Sequence, residues 1–161
     1  MIVALGGNLP GEHGGGEALL EAALARFPER GLVVVARSGW WRSAAWPDPA
    51  APAYTNGVAL VETRLSPRET LEALHAIERA FGRVRGEANA PRTLDLDLIA
   101  HGRTVIDEAG LVLPHPRAHE RLFVMGPLAE VAPDWRHPAS GESATSLLGG
   151  ATVGGDARRL P

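Results

Sequence analysis

The sequence has 161 residues, a mass of 17.0 kDa and a formal net charge of −3, which is the size of one ordinary domain and excludes a second core of similar size. All 16 basic residues are arginine, and there is no lysine, glutamine or cysteine, so lysine phosphate loops, Schiff bases, disulfides and zinc–cysteine centres are excluded. Because basic residues are not in excess, we expect neither nucleic acid nor a membrane as a partner.

The first part of the chain predicts a strand, a helix and two further strands, over Met1–Leu5, Glu17–Phe27, Leu32–Ser43 and Tyr54–Thr63. The helix follows from apolar residues at helical spacing, and the strands follow from short runs rich in valine and aromatic residues. A proline-rich loop of about ten residues joins the last two strands. It is long for a hairpin, and long loops in compact domains are commonly functional.

The segment Ser66-Pro67-Arg68-Glu69 predicts the start of a second helix, because serine can cap it, proline suits its first turn and glutamate completes a capping box. Two stripes then follow at helical spacing and end at Gly82. The first is the apolar seam Thr70, Leu74, Ile77 and Phe81, and the second contains Leu71, His75 and Glu78.

The remaining chain predicts a strand over Leu94–Ala100, a hairpin within residues 103–113, and at least one helix within Ala118–Val131 that Pro127 interrupts. The segment 133–161 is expected to be loop-rich, with Leu147-Leu148 as its apolar anchor. The element order is that of a split βαβ unit. We therefore expect one α+β domain over residues 1–161, with a ferredoxin-like antiparallel sheet and helices on its faces in three αβα layers.

Asp95 and Asp97 are two residues apart on a predicted strand, so both carboxylates lie on one face with Cα atoms about 6.5 to 7 Å apart. The leucines between and around them face the core. Adjacent carboxylates favour a cation between them or open water around them, and carboxylate oxygens suit Mg²⁺. The alternative interpretation is an exposed edge strand with solvated charges.

Arg83, Arg85 and Arg92 lie within 14 residues of this aspartate pair. Guanidinium groups bind phosphate oxygens in a fixed geometry, so two metal-binding carboxylates and three arginines predict a nucleotide-phosphate site without lysine. A surface charge network, which would contribute little stability, explains the same residues about as well.

The block Pro91-Arg92-Thr93-Leu94-Asp95-Leu96-Asp97-Leu98-Ile99 resembles the signature of the 6-hydroxymethyl-7,8-dihydropterin pyrophosphokinase family. Further segments resemble that family in the same order, from about residue 2 to 135. They are Gly6-Gly7-Asn8-Leu9, Tyr54-Thr55-Asn56-Gly57-Val58, Gly82-Arg83-Val84-Arg85, Leu113-Pro114-His115-Pro116 and Arg121 through Leu128. The resemblance implies transfer of pyrophosphate from ATP to a pterin alcohol in folate biosynthesis.

The resemblance also implies roles for individual residues. Catalytic residues would be Arg83, Arg92, Asp95 and Asp97, with the two aspartates holding two Mg²⁺ ions. The ATP site would contain His75, Glu78, Arg83, Arg85, Arg92, Ile99, His115 and Arg121. The pterin site would contain Ser43, Ala44, Trp46, Tyr54, Asn56 and Phe123, with Asn56 reading the amide edge of the ring and with Tyr54 and Phe123 stacking on its two faces. No motif assigns a role to Gly14–Gly16 or to the residues after Thr152.

Two other functions remain open on the residues alone. One is a different Mg²⁺-dependent phosphotransferase or hydrolase that uses the same aspartates, and the other is a ligand-binding domain of ferredoxin-like fold without catalysis. The apolar runs are far shorter than the ~20 residues of a membrane span, and the first residues do not form a secretion signal. We expect a cytoplasmic monomer that binds ATP and the pterin.

Overall fold

The computed structural model describes residues 1–8, 13–45, 50–82 and 94–161. Within them it contains eight strands, four α-helices and two short 3₁₀ turns, over Pro28–Arg30 and Ala118–Glu120. In chain order the strands and α-helices are β1 Ile2–Gly7, α1 Gly16–Ala25, β2 Val33–Arg37, β3 Trp41–Ser43, β4 Tyr54–Glu62, α2 Pro67–Ala80, β5 Asp95–Ala100, β6 Ile106–Glu108, β7 Leu111–Leu113, α3 Leu122–Val131, α4 Ala144–Gly150 and β8 Arg158–Arg159.

Six strands form one antiparallel sheet in the order β5-β1-β4-β3-β8, and β2 also pairs with β4. The other two strands, β6 and β7, form the hairpin that the sequence predicts within residues 103–113. Because β1 lies between β4 and β5, its residues from Ile2 to Gly6 have a partner on both sides. Gly6 pairs with Asn56 on β4 and with Asp95 on β5.

Helices pack on both faces of the sheet, and side chains alternate along β1 to fill the two cores. Val3 and Leu5 point into the cluster that α1 and α2 cover, whereas Ile2 and Ala4 point into the cluster that α3 and α4 cover. Helix α2 begins with the predicted capping box, since the Ser66 side chain accepts a hydrogen bond from the Glu69 backbone and the Glu69 side chain accepts one from the Ser66 backbone. These contacts confirm an α+β fold with an antiparallel sheet.

The predicted strand Leu32–Ser43 is two strands, because a buried serine interrupts it. Ser38 accepts a hydrogen bond from Val58 N through its hydroxyl oxygen, at 3.0 Å. The next residue, Gly39, donates its backbone N–H to Glu130 of α3 at 2.8 Å. In the segment between β2 and β3, these contacts replace regular backbone pairing with β4, so two separate strands result.

The structure corrects one expectation for the C-terminal third. Pro127 lies inside α3 and does not interrupt it, because the helix is packed into the second core by Val124, Met125 and Leu128, which outweighs one missing backbone hydrogen bond. The segment after Pro133 contains α4 and β8, and its other residues form turns and loops. The Ser143 side chain caps α4 by accepting a hydrogen bond from Ser146 N at 3.1 Å.

None of the helices in the described part of the chain is long and apolar enough to cross a membrane.

Candidate active site

The two aspartates of β5 lie on the face of the sheet that α3 covers. Asp95 and Asp97 are half-buried, while Leu94, Leu96 and Leu98 are buried in the core under α1 and α2. The alternation predicted from the sequence is therefore confirmed. Arg121, the residue before α3, places its guanidinium 3.5 Å from the Asp97 carboxylate.

A cavity of about 240 Å³ opens beside these aspartates. Helix α2 supplies one wall, β5 a second, and the β6–β7 hairpin with the residues after it a third. The lining residues are Leu71, His75, Glu78, Asp95, Leu96, Asp97, Leu98, Gly110, Leu111, Val112, Leu113, His115 and Pro116. The predicted second stripe of α2 thus faces the aspartate pair.

Glu78 is 2% exposed and supports β5 from the side of α2. Its carboxylate accepts a hydrogen bond from Leu96 N at 2.8 Å, so it binds the backbone between the two aspartates. Strand β5 is at the edge of the sheet, where backbone groups lack a partner strand. The contact fixes the segment that carries both carboxylates.

His115 is attached to β5 through the backbone, since its N–H donates to the Ile99 carbonyl at 2.8 Å. Burial lowers the pKa of its imidazole, and the nearby Arg121 guanidinium lowers that pKa further, which favours the neutral ring at neutral pH. Ile99 itself is 1% exposed and packs in the second core. Its connection to this site is through its carbonyl rather than its side chain.

Of the predicted pterin residues, Asn56 and Tyr54 lie on β4, two strands away from the aspartates, and Ser43 lies on the neighbouring β3. The pairing register places Trp41, Asn56, Gly6 and Asp95 in one row across β3, β4, β1 and β5. Two strand spacings put the Cα atoms of Asn56 and Asp95 about 10 Å apart. Gly6 lies between them and has no side chain, so no side chain of β1 separates Asn56 from Asp95 in this row.

Asn56 is buried and donates its side-chain N–H to the Ser43 hydroxyl at 3.0 Å. Ala44 follows Ser43 and is exposed. Tyr54 begins β4, opposite Ser43. Phe123 lies in the first turn of α3, with the Arg121 guanidinium carbon 5.9 Å from its ring centre. The structure thus brings the nucleotide-side arginine and the predicted stacking aromatic together.

Four predicted site residues, Trp46, Arg83, Arg85 and Arg92, lie outside the described residues. Among the described residues, no group of three or more His, Asp or Glu side chains is arranged to hold a metal ion. The carboxylates of Asp95 and Asp97 are the predicted metal ligands that the structure does describe.

Sequence reasoning missed two parts of this region. The hairpin residues Leu111 and Leu113 line the cavity. Both are buried and Val112 between them is exposed, an alternation that is typical of a strand. The C-terminal residues Gly154 and Asp156 contact Phe123 and Ala44. Nothing local in the sequence points to these contacts, which join residues far apart in the chain.

The family model described as 7,8-dihydro-6-hydroxymethylpterin-pyrophosphokinase (HPPK) matches residues 2–133. A 2-amino-4-hydroxy-6-hydroxymethyldihydropteridine pyrophosphokinase of Synechocystis sp. is 45% identical over 150 residues, which cover 91% of this chain and 73% of the relative. The protein of the same name from Pseudomonas aeruginosa is 43% identical over 142 residues, or 86% of this chain and 83% of the relative.

Among solved structures, wild-type HPPK-DHPS of Plasmodium falciparum matches with a TM-score of 0.72 and 11% identity, over 98% of this chain. The S436F/A437G/A613S variant with SDX-DHP matches with a TM-score of 0.74 and 12% identity. The chain spans 47% of the length of each of these structures. At this identity the likeness shows the fold alone.

Proposed function

The chain belongs to the 7,8-dihydro-6-hydroxymethylpterin-pyrophosphokinase family, and we propose that the cavity beside β5 and the row that ends at Asn56 are its two substrate subsites. The activity of the family is transfer of pyrophosphate from ATP to 6-hydroxymethyl-7,8-dihydropterin, which gives AMP and the pterin diphosphate. The observation that carries the assignment is the row Asn56–Gly6–Asp95. In this row a buried amide and a carboxylate of the aspartate pair share one sheet face, with no β1 side chain between them.

Asp95 and Asp97 are the proposed ligands of two Mg²⁺ ions that accompany the triphosphate. The donor set fits, because both carboxylates are half-buried on one face beside a polar cavity and Mg²⁺ prefers carboxylate and phosphate oxygens. Bound Mg²⁺ would neutralise charge that develops on the phosphates. Arg121 lies 3.5 Å from Asp97 and is suited to a phosphate oxygen at the same place.

The remaining nucleotide contacts are proposed along α2 and the hairpin. His75 lines the cavity opposite His115 on the far wall, and a neutral imidazole can both donate and accept hydrogen bonds there. Arg83, Arg85 and Arg92 stay predicted phosphate ligands. Glu78 stays a predicted member of the ATP site, although its carboxylate oxygen is already bonded to Leu96 N.

The pterin would bind at the other end of the row. Asn56 carries a side-chain donor and acceptor that match the amide edge of the ring, and its contact with Ser43 fixes which way the amide points. Phe123 and Tyr54 would stack on the flat ring, with Ala44 and Trp46 lining its edge. The hydroxymethyl group would then extend over Gly6 toward the carboxylates.

The chain's contribution to the reaction is mainly positioning and charge neutralisation. The acceptor oxygen attacks the β-phosphorus while AMP leaves, and the proton of the hydroxyl group goes to solvent. We assign no general base. Asn56 and Phe123 orient the acceptor, and Arg121 with Arg83, Arg85 and Arg92 holds the phosphates in line.

We also propose that the fold is ferredoxin-like with three αβα layers. Its support is the strand order, in which β5 and β4 flank β1 and the strands made from residues 33–43 lie beyond β4, with apolar clusters under helices on each face. A single domain over residues 1–161, a monomeric state and a cytoplasmic location stay predictions.

The test is to mix the protein with ATP, Mg²⁺ and 6-hydroxymethyl-7,8-dihydropterin and to separate the nucleotides and pterins by chromatography. We expect AMP and the pterin diphosphate in equal amounts, only when all three components are present. Release of ADP or inorganic phosphate would instead favour another phosphotransferase or a hydrolase. Binding without turnover would favour a ligand-binding domain.

A further inference from the structure

Residues 152–159, here called the C-terminal strap, run along the walls of the proposed pterin subsite. The strap begins beside α3. Thr152 and Val153 donate their backbone N–H groups to the Glu120 carbonyl at 3.1 and 2.9 Å, and Leu122 N donates to the Val153 carbonyl at 2.8 Å. These bonds attach the strap to the turn that carries Arg121 and leads into Phe123.

Gly154 lies directly against the Phe123 ring. A Cβ atom added at this glycine would be 2.5 Å from Phe123 Cδ1, and the glycine has a φ of +73°. Any other residue would therefore be strained in its backbone and would push the ring away. The strap backbone forms the surface on which the proposed stacking aromatic rests.

Asp156 reaches the opposite wall of the subsite. Its carboxylate accepts a hydrogen bond from Ala44 N at 2.5 Å. Ala44 directly follows Ser43, whose hydroxyl accepts the hydrogen bond from Asn56. Between the two contacts, Ala157 N donates to the Gly154 carbonyl at 2.8 Å, and this turn sets the spacing of Gly154 and Asp156.

The far end of the strap is anchored to the sheet and to α3. Arg158 and Arg159 form β8, which pairs with β3. The Arg159 guanidinium donates to Glu130 at 3.2 Å, and the same carboxylate accepts hydrogen bonds from Gly39 N and from the Trp41 indole. The strap is thus held at both ends, with its two subsite contacts in the middle.

We propose that the C-terminal strap is a positioning element for the pterin, in which Gly154 sets the Phe123 ring and Asp156 sets the backbone at Ala44. This inference rests on the proposed pterin subsite. A ring and a loop that are already held in place lose less freedom when the ligand binds, so affinity for the pterin increases. Among the described residues, Gly154 and Asp156 do not line the cavity between α2 and the hairpin, so ATP affinity is not expected to depend on these two residues.

The first test replaces the acceptor on Asp156 and measures the binding of each substrate by calorimetry. We expect Asp156→Ala to weaken pterin binding about tenfold, the effect of losing one hydrogen bond to a charged acceptor, and to leave the Kd for ATP with Mg²⁺ unchanged. Asp156→Asn keeps an oxygen that accepts from Ala44 N and is expected to restore most of the pterin affinity. Arg158→Ala is the matched control, because Arg158 is exposed in the same strap and pairs with Arg42 through its backbone.

The second test is Gly154→Ala, which forces the Phe123 ring to move. We expect a higher KM for the pterin with the KM for ATP unchanged. If either variant weakens both substrates alike, the strap is merely structural and the proposal is wrong. If Asp156→Ala binds the pterin as wild type does, the proposal is also wrong. A wild-type protein that forms no AMP would overturn the proposed function itself, whereas active wild type with unaffected variants overturns only this inference.

Discussion

Asp97 is a proposed metal ligand, and its carboxylate lines the cavity 3.5 Å from Arg121, a proposed phosphate ligand. The pair is partly exposed, with 24% and 35% of the two side chains accessible, and ion pairs of this kind contribute little to folding stability. A substitution of Asp97 is therefore expected to affect activity more than stability.

We expect Asp97→Asn to lower the rate of AMP formation ~100-fold or more, because the amide is a poor Mg²⁺ ligand. The melting temperature should change little. Asp107→Asn, on the exposed strand β6, is the control and should keep full activity. Wild-type turnover in Asp97→Asn would contradict the proposed metal site.

His115 shows how burial and a neighbouring cation act together on one imidazole. Burial is the larger cause of its lowered pKa, and the Arg121 guanidinium is the second. The unfolded chain binds the proton at a higher pH than the folded protein does. Protonation of this residue therefore works against folding as the pH falls through its ordinary value of 6.5.

We expect Arg121→Ala to raise the pKa of His115 part of the way back toward 6.5, since the nearby positive charge is removed while the burial remains. The change can be followed by NMR titration of the imidazole Cε1–H signal. Arg103→Ala removes an exposed arginine that donates to the Arg136 carbonyl instead, and should leave the titration of His115 as it is. An unchanged midpoint in Arg121→Ala would contradict a contribution of the Arg121 charge to the pKa of His115.

At the scale of elements, the buried carboxylate of Glu78 adds a hydrogen bond to the apolar packing between α2 and β5. Glu78 is 2% exposed and accepts from Leu96 N, between the two aspartates. The cavity depends on this junction, since α2 and β5 supply two of its walls.

We expect Glu78→Ala to lower the free energy of unfolding by about 1 to 3 kcal/mol, because it leaves the Leu96 N–H buried without its acceptor. Glu78→Gln keeps an oxygen at the same place and should cost less. Urea unfolding of the three proteins, followed by circular dichroism, measures the difference. Equal stability of Glu78→Ala and wild type would show that the contact does not support β5.

Elements whose signals are local could be predicted from the sequence. The capping box at Ser66 and the alternation of leucine with aspartate along β5 are both present as expected. The break between β2 and β3 and the placement of β8 could not be predicted, because contacts with Val58, Glu130 and β3 determine them across the chain. The aspartate pair was predictable because its pattern is local in the sequence. The strap was not, because contacts with distant residues place it.

At the scale of the whole molecule, Glu130 joins three distant parts of the chain. Its carboxylate accepts from Gly39 N at 2.8 Å, from the Trp41 indole at 3.1 Å and from the Arg159 guanidinium at 3.2 Å. Burial alone would raise the pKa of Glu130, but these hydrogen bonds outweigh it and hold the pKa below 4.5. The Glu130 carboxylate of α3 therefore binds both the segment around β3 and the strap.

A carboxyl group with a lowered folded pKa stabilises the protein above its unfolded pKa, and that contribution is lost as the pH falls through the folded value. We therefore expect Glu130→Gln to lower the melting temperature near neutral pH, and the difference from wild type to shrink as the pH falls below 4.5. Glu72→Gln, an exposed substitution on α2, is the control. A difference that stays constant across this range would contradict a role for the Glu130 charge.

In the proposed site, the row Asn56–Gly6–Asp95 sets the distance between the group that binds the pterin ring and the carboxylates. Its span of about 10 Å is set by backbone hydrogen bonds between three strands, and these cannot stretch to suit a different ligand. A pterin alcohol on a longer arm would carry its oxygen past the carboxylates and out of line with the phosphorus. If the proposed subsites are correct, we expect the strand pairing to contribute to discrimination between homologous alcohols.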